Sequence, residues 1–476
     1  GLWYKINLYV KKSMNILKYI CLPGLLVSGD IQTVSAVESK TDKNPNILVI
    51  LIDDAGYNDF GFMGSKEMQT PNIDALTSEG VVFTDAHVAA TVSSPSRACL
   101  ITGRYGHRFG YECNLSDRTN GLPLEEETIA EVFKTNGYRT AAIGKWHLGS
   151  RDEQHPNNRG FDLFYGMKAG GRDYFYNEKK SDRPGDERNL LLNDRQVKFE
   201  KYLTDAFSEK AVEFINESSQ PFMMYLAYNA VHTPMQATDE DMAKFEGHPR
   251  QKLAAMTYAL DRGVGTVIRG LKDSGKFDNT LIFFLSDNGG ATTNQSSNYP
   301  LKGFKGNKFE GGHRVPYFVV WKNGIPAGKP YDGLVSSLDI FATAIDAASI
   351  SKTRNRLNGV SLLPYLKGKK GEPHKVLYWR KMDTRAIRSG DYKLIITHGV
   401  DSVLYNIRRD PEEMNNLINK EPDLYHKLAK KLAKWEKNEC IEPSWLEEGW
   451  RKITNRYHQQ LMHNEIKTAQ DLYKKK

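Results

Sequence analysis

NILVILIDD, residues 46–54, decides the fold. Ile47 to Ile52 form an unbroken apolar run that ends directly in two aspartates. A run of this length, rich in Val and Ile, suits a strand buried on both faces of a parallel sheet. The same texture returns in RTAAIGKWH (139–147), PFMMYLAYNAVH (221–232), TLIFFLSDNGG (280–290) and VPYFVVW (315–321). Helical patterns lie between them, such as LEEETIAEVFKTNG (124–137) and YALDRGVGTVIRGLKDSGKF (258–277), each with a glycine placed to stop it. This alternation predicts an α/β fold with a large, mostly parallel sheet flanked by helices. After about residue 370 the texture changes. KVLYWR, TRAIRSGDYKLIITHG and SVLYNI read as short strands joined by tight turns, and DLYHKLAKKLAKWEKN sets Leu424, Leu428, Leu432 and Trp435 on one helical face. We therefore expect a main domain over 45–370 and a smaller antiparallel subdomain with a helical tail over 371–476.

The 476 residues carry 66 Lys and Arg against 58 Asp and Glu, a net charge of +8. Part of that charge sits in KKSMNILKYICLPGLLVSGDIQTVSA (11–36), where Lys11, Lys12 and Lys18 precede a short apolar stretch and Val34-Ser35-Ala36 offers a cleavage pattern. The apolar stretch is too short to span a bilayer, so residues 1–36 read as a secretory signal peptide, with Met14 as a candidate start. No transmembrane segment is expected in the remainder. The mild positive charge speaks against nucleic acid as a partner, with Lys-rich KGKKGEPHK and the terminal YKKK read as solvated loop and tail. Cys99, Cys113 and Cys440 would survive processing, an odd number that permits at most one internal disulfide.

The polar residues fall where such a sheet would use them. Asp53-Asp54, Lys145 and His147, His232, and Asp287-Asn288 each lie just past the end of a predicted strand. Ligands of open α/β sheets bind outside the carboxyl ends of the strands. Asp53, Asp54, Asp287 and Asn288 offer only oxygen, which suits a hard cation, calcium or magnesium, better than zinc. Either pair, Asp53-Asp54 or Asp287-Asn288, alone would read as a cap for the following helix or loop; both at one sheet edge shift the reading to metal. Arg97, Lys145, His147, His232 and Lys305 would surround that ion with positive charge and call for an anion.

SSPSRACLITGR (93–104) reads first as a capped helix, with Ser94 as cap and Pro95 in the first turn. With its neighbours it resembles the signature of the type I sulfatases of the alkaline-phosphatase-like superfamily: Cys or Ser, any residue, Pro, Ser, Arg, and later Leu, an aliphatic residue, Thr and Gly. The opening stretch from Asn46, GYRTAAIGKWHLG, LKGFKGNKFEGGHRVP and LYNIRRDPEEMNNL are similar to further motifs of that family, in its order. The resemblance implies formylglycine derived from Ser93 as nucleophile, made by a radical-type maturase of the kind that serves serine-type bacterial enzymes. It implies one calcium, with magnesium second, held by Asp53, Asp54, Asp287, Asn288 and the modified Ser93. Arg97 and Lys145 would steady the nucleophile, His147 would act on its second hydroxyl, and Lys305 and His232 would grip the sulfate. The implied substrate is a sulfated carbohydrate, a galactose or N-acetylgalactosamine unit of an algal galactan or host glycan, met in the periplasm or outside the cell. Arg172 and His313 are candidate substrate contacts. A phosphatase or phosphodiesterase of the same superfamily, or an inactive glycan-binding relative, are the alternatives.

Overall fold

Ile47, Val49 and Leu51 point to one side of their strand and Leu48, Ile50 and Ile52 to the other, and both sides are sealed. The computed structural model describes residues 44–474; the expected signal segment lies outside them. The strands in chain order are β1 (Asn46–Ile52), β2 (Val81–Val82), β3 (Ala86–His87), β4 (Arg139–Lys145), β5 (Leu163–Met167), β6 (Leu191–Leu192), β7 (Arg195–Gln196) and β8 (Phe222–Ala227). They continue as β9 (Thr280–Ser286), β10 (Tyr317–Val320), β11 (Val335–Ser336), β12 (Val376–Lys381), β13 (Thr384–Ser389), β14 (Tyr392–Thr397) and β15 (Asp401–Asn406).

The large sheet has the order β2-β10-β9-β1-β8-β4-β5-β6-β7. Its centre, β9-β1-β8-β4-β5, is parallel throughout. Helices Pro71–Thr77, Leu203–Glu217 and Gln251–Asp273 cover one face, and Ser93–Thr102, Ile129–Thr135 and Asp339–Ala347 cover the other. Each large side chain so buried contributes roughly 1.5–3 kcal/mol. The predicted α/β class, with its helix-covered sheet and smaller antiparallel sheet, is the architecture observed.

Three local readings differ. VPYFVVW forms β10, but it runs antiparallel to β9 at the sheet's edge. The helix expected over 124–137 is confined to Ile129–Thr135, because Thr128 and Glu131 close a reciprocal capping box at its start. β5, in LFYGM, went unforeseen: the run is short and interrupted by glycine.

β12 to β15 form the smaller sheet, antiparallel in sequence order. Leu428, Leu432 and Trp435 of helix Pro422–Glu439 pack on one face, against Ile387 and Leu394. Leu461 and Met462 of a second helix, Glu448–Met462, pack on the other, against Trp379 and Ile395. Buried Lys393 of β14 ties this sheet inward, reaching Glu310 at 2.9 Å and Glu413 at 2.7 Å. Cys99, Cys113 and Cys440 are all free thiols. No helix among the described residues is long and apolar enough to cross a membrane.

His458, on the buried face of the last long helix, accepts the Lys308 N–H at Nε2 (3.2 Å) and faces the Thr454 carbonyl with Nδ1 (2.8 Å). Burial pushes its pKa down to about 3. The unfolded chain protonates this ring near pH 6.5, so its contribution to stability is complete above 6.5 and declines as pH falls toward 3. At pH 4.5 the loss from this one group should be about 2–3 kcal/mol. Urea unfolding at pH 7 and 4.5 should show a smaller pH-dependent loss in His458→Gln than in the wild type.

Candidate active site

The parallel pairing of β1 with β9 aligns Ile52 with Ser286, which brings the two aspartate-bearing strand ends side by side. The Asp287 N–H donates to the Ile52 carbonyl (2.8 Å), and its Oδ1 accepts the Asp54 N–H (3.2 Å). Asp54 has φ +60°, in the left-handed region that non-glycine residues rarely occupy. Asn294 and Ser296 hold it there, both donating to its carbonyl, at 3.0 and 2.9 Å. These two residues, in the polar run ATTNQSSN, were not singled out from the sequence. Their only signal was a hydrogen-bonding run directly after the second acidic pair.

Asp53, Asp54, Asp287 and Asn288 are all buried. The Asn288 amide donates to Asp54 Oδ1 (2.8 Å), which turns its own Oδ1 toward Ser93. Ser93 Oγ stands 3.2 Å from Asp53 Oδ1 and 3.2 Å from Asn288 Oδ1. One hydroxyl proton cannot serve both acceptors, so oxygen lone pairs converge here in excess of donors. That excess, in an all-oxygen set, fits a hard cation.

Cations enclose the acids. Lys145, ending β4, reaches Asp53 Oδ2 at 2.6 Å, and Arg97 places Nε and Nη2 on Asp287 Oδ2 at 3.1 and 2.9 Å. Lys305 contacts both Asp54 oxygens, at 2.7 and 2.9 Å. Burial alone would raise Asp53 and Asp54, but Lys145 beside the first and Lys305 beside the second, with His232 near both, hold them below the usual carboxylate range. Asp287 goes the other way, raised by burial and by the charge of Asp53 despite Arg97. Of the three crowded carboxylates, Asp287 is the one on which burial and the neighbouring Asp53 outweigh its cation.

Two imidazoles complete the ring. His232 Nδ1 faces the Thr233 carbonyl at 2.7 Å, which turns Nε2 toward Asp54 at 3.7 Å. His147, at φ +57°, has a buried Nδ1 without a partner among the described residues, and burial with Lys145 and Arg97 nearby holds its pKa well below the ordinary value. A pKa in that direction leaves the ring neutral near pH 7. Gly170 and Gly171 make room for both rings: an added Cβ would come 2.8 Å from His147 and 3.2 Å from His232.

The helix expected to begin at Ser94 starts at Ser93, with Val92 in the cap position and no side-chain cap. Ser94 instead bonds sideways. Its hydroxyl contacts Tyr111 (2.6 Å) and the His147 carbonyl (2.8 Å), and Asn114 Oδ1 accepts its N–H (3.0 Å). With that N–H taken and Pro95 lacking one, the helix start offers fewer free donors than a bare N-terminus would. Ser93, not Ser94, faces the acids.

The structure directs both expected substrate contacts elsewhere. Arg172 is buried with its guanidinium on both Asp182 oxygens (2.9 and 2.7 Å) and on the Asp173 and Arg188 carbonyls. His313 is fully buried, 2.9 Å from His87 Nδ1, and stacks on Trp379. Both positions lie near the site in sequence, but local partners claim their polar atoms.

With known proteins, residues 45–350 match the family model described as Sulfatase, and residues 305–438 match that of the N-sulphoglucosamine sulphohydrolase C-terminal region. The chain is 36% identical to the uncharacterized sulfatase YdeN of Escherichia coli K12, over 72% of this chain and 70% of that one. It is 32% identical to N-acetylgalactosamine-6-sulfatase of Canis lupus familiaris, over 73% and 71%. The solved structure of Ps i-CgsB in complex with k-i-k-neocarrahexaose superposes with a TM-score of 0.81 at 38% identity, over 88% of this chain and 99% of that one.

Arg172→Met should leave Asp182 buried without its partner and lower stability by about 3–5 kcal/mol in denaturant titration. A residue touching only substrate would lower turnover and leave stability unchanged.

Proposed function

The chain belongs to the sulfatase family, a family of sulfuric ester hydrolases, and on that premise we propose that it removes sulfate from a galactose or N-acetylgalactosamine unit of a sulfated glycan, with oxidised Ser93 as nucleophile. The observation that carries this reading is the position of Ser93 Oγ, equidistant from two acceptor oxygens inside a ring of three carboxylates and three fixed cations. The relative named as an N-acetylgalactosamine-6-sulfatase and the neighbour solved with neocarrahexaose support the choice of sugar. The radical-type maturase and an exported location are part of the same proposal.

A plain serine hydroxyl is a weak nucleophile. Formylglycine, which differs from serine by the loss of two hydrogen atoms, would supply a hydrated aldehyde with a second hydroxyl in its place. Asp53, Asp54, Asp287 and Asn288 would hold one calcium, which would supply Lewis-acid stabilisation of negative oxygen. The oxygen-only donors favour one hard cation over the zinc pair of a phosphatase.

The chain's own side chains divide the remaining work. Arg97 would hold the Asp287 carboxyl in place, and Lys145 would fix Asp53 and favour its ionised form. Lys305 and His232, on the Asp54 side, would bind the sulfate oxygens; protonated, either would deliver its proton to the departing sugar oxygen. Neutral His147 would take the proton from the nucleophile's second hydroxyl, which lets sulfate leave. Loss of the proton donor typically costs about 10²–10⁴-fold in rate.

The test is mass spectrometry of the peptide containing Ser93, from protein made with and without an anaerobic maturase. We expect the loss of two hydrogens, capture by a carbonyl reagent, and sulfate release from an aryl sulfate in proportion to occupancy. Unmodified Ser93 in protein that still releases sulfate would overturn the assignment. Independently of activity, calcium added to chelator-treated protein should raise Tm, by about 2.7 kcal/mol of stabilisation at a hundredfold excess over Kd, and Asn288→Ala should abolish the rise.

A further inference from the structure

The segment beyond residue 438, where the family matches end, returns to the catalytic loops. The Ile441 and Ser444 N–H groups donate to the carbonyls of His107 and Gly110. Trp445 Nε1–H donates to the Asn114 carbonyl at 2.7 Å, and Glu447 accepts the Asn114 N–H at 3.2 Å while pairing with Lys381 at 2.7 Å. Asn114 is the residue that accepts the Ser94 N–H, so this tail stands two hydrogen bonds from the nucleophile's turn. Farther along, helix Glu448–Met462 grips the loop that bears Lys305. Tyr457 meets Phe304 edge-on at 5.5 Å, and the Leu461 carbonyl accepts from Lys302 at 3.1 Å.

Between the tail and that loop lies a cavity of about 290 Å³. Lys305 and Gly306 line one wall, and Trp450, Ile453 and Tyr457 the other. Trp450 is 60% exposed and makes no ring contact among the described residues. An exposed tryptophan is costly to keep in water, and here it borders the cavity that Lys305 also lines. A flat apolar face beside charged and amide groups fits a sugar ring, which has a C–H face and a rim of hydroxyls.

We propose that this cavity holds the saccharide next to the scissile ester, with Trp450 as its stacking platform, so that residues 440–462 set selectivity for sulfated oligosaccharides. The inference rests on the sulfatase reading of the Ser93 site. Trp450 stands clear of the core, so its replacement should leave the fold intact.

The experiment compares wild type, Trp450→Ala and Trp450→Phe, each with confirmed formylglycine. The substrates are p-nitrophenyl sulfate and whichever carrageenan or chondroitin sulfate hexasaccharide the wild type desulfates fastest. Trp450→Ala should lower kcat/KM on the hexasaccharide about tenfold, chiefly through KM, with p-nitrophenyl sulfate held within about twofold; Trp450→Phe should restore most of the loss. Equal losses on both substrates, no loss on the hexasaccharide, or a wild type that cleaves the aryl ester and none of the hexasaccharides would each overturn the inference. A wild type with formylglycine that cleaves no sulfate ester would instead overturn the sulfatase reading, and this inference with it.

Discussion

The in-register parallel pairing of β1 with β9 is the constraint on which the site depends. Asn46 pairs with Thr280 and Ile52 with Ser286, so the two strands end level and Asp53-Asp54 emerges beside Asp287-Asn288. Side chains alternate along a strand, so a slip of one residue would exchange the two buried faces of β1 and separate Asp53 from Asp287. Both faces of β1 are packed against helices, which makes such a slip prohibitive. The same apolar burial that stabilises the sheet thereby sets the spacing of its most polar residues.

Concentrating three carboxylates at that junction is expensive. The surrounding structure offsets the cost with Arg97, Lys145 and Lys305, each on a different acid. Removing any one would leave a buried charge without its partner. The arrangement is also asymmetric. Arg97 and Lys145 are buried behind the acids, whereas Lys305 and His232 remain partly exposed. One pair of groups lies behind the acids; the other lies between them and solvent.

Fixed backbone conformation supports this charge pattern. Asp54 and His147 both adopt left-handed φ, at about 1–3 kcal/mol each, and both carbonyls are secured by side chains from elsewhere in the chain. Ser94 secures that of His147, so the residue beside Ser93 positions a histidine. The C-terminal tail reaches the same turn through Asn114, which links the smaller sheet's helices to the mouth of the site.

Apolar runs and residue chemistry are local properties, so the central strands β1, β4, β8 and β9, the two-faced burial of β1 and the oxygen-only and cationic residues at strand ends could be read from the chain alone. The grouping of Asp53, Asp54, Ser93, Arg97, Lys145, His232, Asp287, Asn288 and Lys305 was legible from their shared place after successive strands and from the motif pattern. The antiparallel direction of β10 was not legible, because an apolar run is equally buried in either sense. The inward roles of Arg172 and His313 depend on Asp182, and on His87 and Trp379, partners that only folding brings near. The helix Glu448–Met462, amphipathic and beyond the recognisable motifs, could be placed beside Lys305 only by long-range hydrogen bonds. Tertiary structure decided which polar atoms are free to act, because that depends on what packs beside each one.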